Sequence, residues 1–107
     1  MAHVEVVSGI CGFTTAIEAW PDKSDPFLIH LAIKSDCPEI EQLAGQLTHV
    51  NALQECTFRG TGPRTLQNAA ECLQHPACPV PTGIIKAVEV AAGLALPKDA
   101  SIKVSAG

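Results

Sequence analysis

Apolar residues alternate with polar ones through the first third of the chain and then recur at three- and four-residue intervals, so the pattern predicts strands followed by helices. Residues 3–7 alternate as a first strand, which Ser8 and Gly9 end. From 13 to 20, Phe13, Thr15, Ile17 and Ala19 fall on one side, with Thr14, Ala16, Glu18 and Trp20 on the other, predicting a second strand. Residues 21–26 are a turn by composition: proline presets φ, and Asp and Ser bond their own backbone. The third strand, 27–34, turns Phe27, Ile29, Leu31 and Ile33 inward and His30 and Lys34 outward. The expected product is an antiparallel sheet with one buried face.

At Pro38 the period changes. Proline suits the first helical position, Glu39 and Glu41 suit the positive end of the dipole, and Ile40, Leu43, Ala44 and Leu47 form a stripe that ends before Val50. Residues 52–58 fit either a short strand or a helical turn, and 59–63 read as a loop. A second stripe, Leu66, Ala69, Ala70 and Leu73, predicts a helix over 64–74. Prolines 76, 79 and 81 then predict a stiff, non-helical arm. Thr82 is the expected N-cap of a mostly buried helix that ends with Gly93 at C′. In the tail, Ile102 and Val104 alternate like a short strand that could join the sheet edge. Three strands, three helices and a short C-terminal strand predict an α+β fold, with helices on one face of a three-stranded antiparallel sheet.

At 107 residues the chain is expected to form a single domain, 1–107, with one modest core. The net charge of −4 comes with scattered basic residues, which leaves no footprint for a phosphate backbone and argues against nucleic acid. The N-terminal Met-Ala-His-Val-Glu does not pair a basic segment with an apolar run, and residues 84–96 are too short to span a bilayer. A cytoplasmic protein without membrane association is the expectation.

Five cysteines change the picture. An odd count with no secretion signal argues for free thiols with a role in metal binding or redox chemistry. Cys37-Pro38 and Cys78-Pro79 each precede a helix, where free N–H groups favour a thiolate, and Cys11 lies between two strands beside Gly12. All three fall at ends of elements, where they can be lined up on one rim. Cys72 lies within a helical stripe and reads as a small buried hydrophobe, and Cys56 has no decided context. His75 and Cys78, spaced His-x-x-Cys, are a workable ligand pair, although His75 equally suits the last turn of a helix. His3, His30 and His49 read as surface residues.

Cys11-Gly12 opening a strand, Cys37 opening a helix, and His75 with Cys78 before the last long helix resemble the U-type iron-sulfur cluster scaffold family over residues 4–93. The resemblance is one of order and spacing. It implies a three-stranded sheet packed by helices, with Cys11, Cys37 and Cys78 and a nearby His75 around an iron-sulfur cluster or zinc. It also implies iron-sulfur assembly or acceptor proteins as partners. Phe13 stands where that family has an aspartate, His75 and Cys78 are not adjacent, and no Leu-Pro-Pro motif precedes them. The segment 75–97, with Cys-Gly-Phe-Thr-Thr near the start, is also similar to a family of short proteins from anaerobic microbes.

The leading expectation is therefore a metal- or cluster-binding protein with Cys11, Cys37 and Cys78 as ligands and His75 as the fourth; Cys56 and Cys72 are weaker alternatives. The rival is a thiol-based sulfur carrier or redox protein acting through Cys37 or Cys78. A third reading makes the chain an interaction domain with cysteines as filler, and a homo-oligomer is compatible with each. An enzyme is not expected: the chain has no Gly-rich phosphate loop, no Gly-x-Ser-x-Gly and no His-Glu-x-x-His.

Overall fold

The computed structural model describes residues 1–107. Strands β1 (Ala2–Val7), β2 (Thr14–Pro21) and β3 (Leu28–Ser35) form the expected meander. They are followed by α1 (Pro38–Gln46), β4 (His49–Asn51), α2 (Ala52–Glu55), α3 (Arg64–Cys72) and α4 (Val80–Ala91). The fold is α+β with one antiparallel sheet, in the order β1-β2-β3-β4.

The sheet therefore has four strands, where the sequence pattern predicts three. The fourth is three residues long, with Val50 buried between exposed His49 and Asn51, too short for alternation to register. It pairs with Leu28, Ile29 and His30 of β3. Asn51 then ends the strand and caps α2, its side chain accepting a hydrogen bond from the Leu53 N–H at 2.9 Å. This resolves the undecided segment after Asn51 in favour of a helical turn.

Core side chains follow the predicted alternation on the sheet. Thr15, Ile17 and Ala19 of β2 and Ile29, Leu31 and Ile33 of β3 are buried, while Glu18 and Lys34 face solvent. Helices α1 and α4 cover that face, contributing Ile40, Leu43, Ile84 and Val88, all fully buried. Each such side chain contributes about 2 kcal/mol of transfer free energy. Gly83 lets α4 lie close to the sheet: a Cβ there would sit 2.5 Å from Val6 Cγ2.

Three further expectations change. Helix α4 begins at Val80, so Pro81 and Thr82 lie in its first turn and Thr82 is not the cap. The N–H that Pro81 lacks would have no partner in a first turn, so the helix tolerates it there. On α3 the buried residues are Thr65, Ala69 and Cys72, whereas Leu66 and Leu73 are half-buried and Ala70 is exposed. The C-terminal residues from 96 onward form no strand, and Ile102 and Val104 are exposed. A strand needs a pairing edge, and these residues pair with none. There Gly93 adopts φ +74°, its N–H bonds Val90 O at 3.1 Å, and the Leu94 N–H bonds Glu89 O at 2.9 Å. That is the Schellman ending expected at Gly93.

Candidate functional site

The register of the sheet fixes which ends of the elements lie together. Val7 pairs with Thr14, and Thr15 pairs with Ser35, so the β1–β2 turn and the end of β3 share one end of the sheet. Helix α1 starts there, immediately after Cys37. Gly83, in the first turns of α4, lies against Val6, Val4 and Ile17, so the start of α4 is at the same end. Glu89, further along α4, is close enough to Cys56 to act on its thiol, and Cys56 follows α2 at the opposite end. Helix α3 runs back along α1. The Gln74 N–H donates to Glu39 Oε1 at 3.0 Å near the start of α1, and Arg64 Nη2 donates to Gln46 O at 3.1 Å at its finish.

Cys11, Cys37 and Cys78 are thus carried to one rim by three elements remote in sequence. Cys11 occupies the tip of the β1–β2 turn, closed by the Ser8 N–H on Phe13 O at 3.0 Å and the Gly12 N–H on Gly9 O at 2.9 Å. Its side chain is exposed, as is Ile10 beside it. Cys37 is the N-cap residue of α1, half-buried, with no side-chain cap bond. Its backbone is held by a chain that starts in the core. The Thr15 hydroxyl donates to Ser35 Oγ at 2.8 Å, and Ser35 Oγ accepts the Cys37 N–H at 3.2 Å. Glu41 Oε1 holds the Ser35 N–H at 2.9 Å, so the helix ties down the loop that precedes it.

Cys78 is half-buried just before α4. Its N–H donates to His75 O at 3.2 Å, closing a turn with Pro76 at the second position, which brings the two ends of His-x-x-Cys together. His75 and Cys78 both line an open groove of about 500 Å³ whose apolar wall is Leu66, Ala69, Ala70 and Leu73. The stripe that reads as core in the sequence is therefore largely the wall of this groove. All five cysteines are free thiols. No three side chains among His, Cys, Asp and Glu approach closely enough to hold a metal ion in this conformation.

The weaker ligand candidates separate cleanly. Cys72 ends α3 on the rim side but is buried in the core at 7 % exposure, as its place in a helical stripe suggests. Cys56 is at the far end, where burial, Glu89 and Glu55 push its thiol pKa up.

Two polar constellations are not evident from sequence. Glu55, 1 % exposed, accepts the Arg64 N–H at 2.7 Å and the Thr65 N–H at 2.9 Å, and also the Thr65 hydroxyl. A carboxylate from another element thus caps α3, and nothing local in the sequence announces a cap nine residues away. On the uncovered sheet face, His30 stacks on Trp20 with ring centroids 5.8 Å apart. Its Nε2–H donates to Asp22 Oδ1 at 2.8 Å. Hydrogen bonds from Ser24 and then His30 hold the Asp22 carboxyl well below the usual carboxylate range. His30 is half-buried and engaged, where the sequence reads it as a surface residue.

No helix is long and apolar enough to cross a membrane. Comparison with curated proteins and with solved structures gives no match. A sequence profile described as a family of unknown function, DUF6951, matches residues 2–104, from the first strand through the exposed tail. The chain belongs to that family.

Proposed function

We propose that the rim is a thiolate metal site, with Cys11, Cys37 and Cys78 as ligands and His75 as the fourth, holding zinc or an iron-sulfur cluster. The observation that carries this reading is the placement of three exposed or half-buried cysteines, from three distant parts of the chain, at one end of the sheet. Core filler has no reason to gather at a rim, and soft thiolates with one imidazole suit either occupant. Cys56 is excluded by its position, and Cys72 would have to leave the core to reach a metal.

The ligands do not stand within coordination distance as a set, so loading requires movement. The mobile partner in this reading is the Cys11 tip, a short turn between Gly9 and Gly12 that makes no side-chain hydrogen bond to the body. Cys37 and Cys78 stay fixed, because both pack against the core. A bound metal would supply a cross-link between strand turn and helices, and Ile10 would remain outside for an assembly or acceptor protein to meet. The similarity to U-type scaffolds supports the same assignment through the order of its cysteines.

The test is purification without oxygen, followed by iron, zinc and acid-labile sulfide per chain and the visible spectrum. About one zinc, or matched iron and sulfide, is expected, and it should fall to below a tenth in each of Cys11→Ser, Cys37→Ser and Cys78→Ser. Stoichiometric metal retained in all three variants would sink the assignment. If no metal is found and reconstitution fails, one fast-labelling thiol at Cys37 or Cys78 would instead identify a sulfur carrier or redox protein.

A further inference from the structure

Strand β1 pairs with β2 on one side only, so its outer edge presents unpaired backbone donors and acceptors. Along that edge Val4 and Val6 point to the core face but are only half-buried. Helix α4 covers them from above, and no strand flanks them on the outer side.

The chain also carries a segment that matches what the edge lacks. Residues 101–105 read Ser-Ile-Lys-Val-Ser, with Ile102 and Val104 on one side of an extended strand and Ser101, Lys103 and Ser105 on the other. Both apolar side chains are more than four-fifths exposed. The segment falls within the family match, which runs through residue 104.

The tail does not lie on its own β1: the sheet holds only β1 to β4, and Pro97 stiffens the stretch after the turn at Gly93. The chain spans 47 Å along its long axis against 27 Å across, and residues 96–107 are all exposed.

We propose that this tail adds as a fifth strand to the β1 edge of a second copy of the chain, reciprocally, forming a two-fold dimer. Ile102 and Val104 would complete the cover over Val4 and Val6. Lys103, on the opposite side, would stand beside the exposed Glu5, a cross-strand pair of opposite charge. A reciprocal exchange also removes the one long free edge of the sheet from each copy. The candidate metal site is at the rim and takes no part in this contact.

The test uses the full chain, the double variant Ile102→Glu/Val104→Glu, and light scattering over a concentration series. Hydrogen exchange of the β1 amides is followed in parallel. Because both substituted residues are exposed, the variant keeps its fold, and far-UV circular dichroism checks this. A dimer is expected for the wild type, with self-association at least tenfold weaker in the variant. The outward β1 amides should lose protection by a similar factor. A monomeric wild type, or a dimer that persists undiminished in the variant, overturns the proposal. Tail-dependent β1 protection in a monomer overturns it too, by showing that the tail folds onto its own edge.

Discussion

At the end of the sheet where β3 begins, buried and half-buried polar groups are matched within the fold, and at the end where β3 finishes three thiols are exposed or half-buried. The first end holds Glu55 bonded to the start of α3, Arg64 bonded to Gln46 and His49 carbonyls, and the Trp20, His30 and Asp22 assembly. Its cysteine, Cys56, has its thiol pKa raised by burial and two carboxylates. The second end holds an exposed Cys11 on a turn tip, Cys37 at an uncapped helix start and Cys78 in an open groove. No buried side-chain nitrogen or oxygen lacks a partner anywhere in the chain. The contrast teaches that one end is tied down by hydrogen bonds to charged side chains while the other leaves its thiols accessible.

The comparison breaks most readily at Glu55. Glu55→Ala leaves the Arg64 and Thr65 N–H groups and a hydroxyl without their acceptor and opens a cavity, an expected loss of about 3 kcal/mol. Urea denaturation should record that loss, while any metal found at the proposed rim site stays unchanged. Loss of metal in a folded Glu55→Ala protein would show that the two ends are coupled.

Thiol labelling of the metal-free protein sharpens the same contrast. Cys11 should react at least about tenfold faster than Cys56 at neutral pH, because reaction follows exposure and thiolate content. The Cys56 rate should rise only above the pH at which an ordinary thiol ionises, since its pKa is raised in the folded state. Peptide mapping after a timed pulse of alkylating agent reads both rates, and equal rates would remove the distinction between the ends.

The smallest effect is expected at Asp22. Its carboxyl pKa is depressed in the folded chain, so its contribution to stability is fully present above the unfolded carboxylate pKa of about 4. That contribution is lost as pH falls towards the folded value. Denaturation of wild type and Asp22→Asn should therefore differ at pH 6 and converge under acid. A difference that persists undiminished at pH 2 would argue against the carboxylate as its source.

Much of this architecture is legible in local pattern. The strands read from Ile17, Ala19, Ile29, Leu31 and Ile33, the start of α1 from Cys37-Pro38, and the end of α4 from Gly93, because period, caps and turn chemistry are properties of neighbouring residues. The three rim cysteines read as candidates because each abuts an element end.

The sequence by itself determined the types of β1, β2, β3, α1, α3 and α4, the buried face of the meander and the place of Cys11, Cys37 and Cys78 at the ends of elements. Only the tertiary structure decided that those ends share a rim, that Cys56 lies opposite, and that Glu55 caps a helix it does not belong to. It also decided that Leu66 and Leu73 face a groove and that His49–Asn51 is a strand. The reason is physical. Periodicity reports which residues of one segment share a side, whereas burial, pairing and proximity depend on which other segment arrives there.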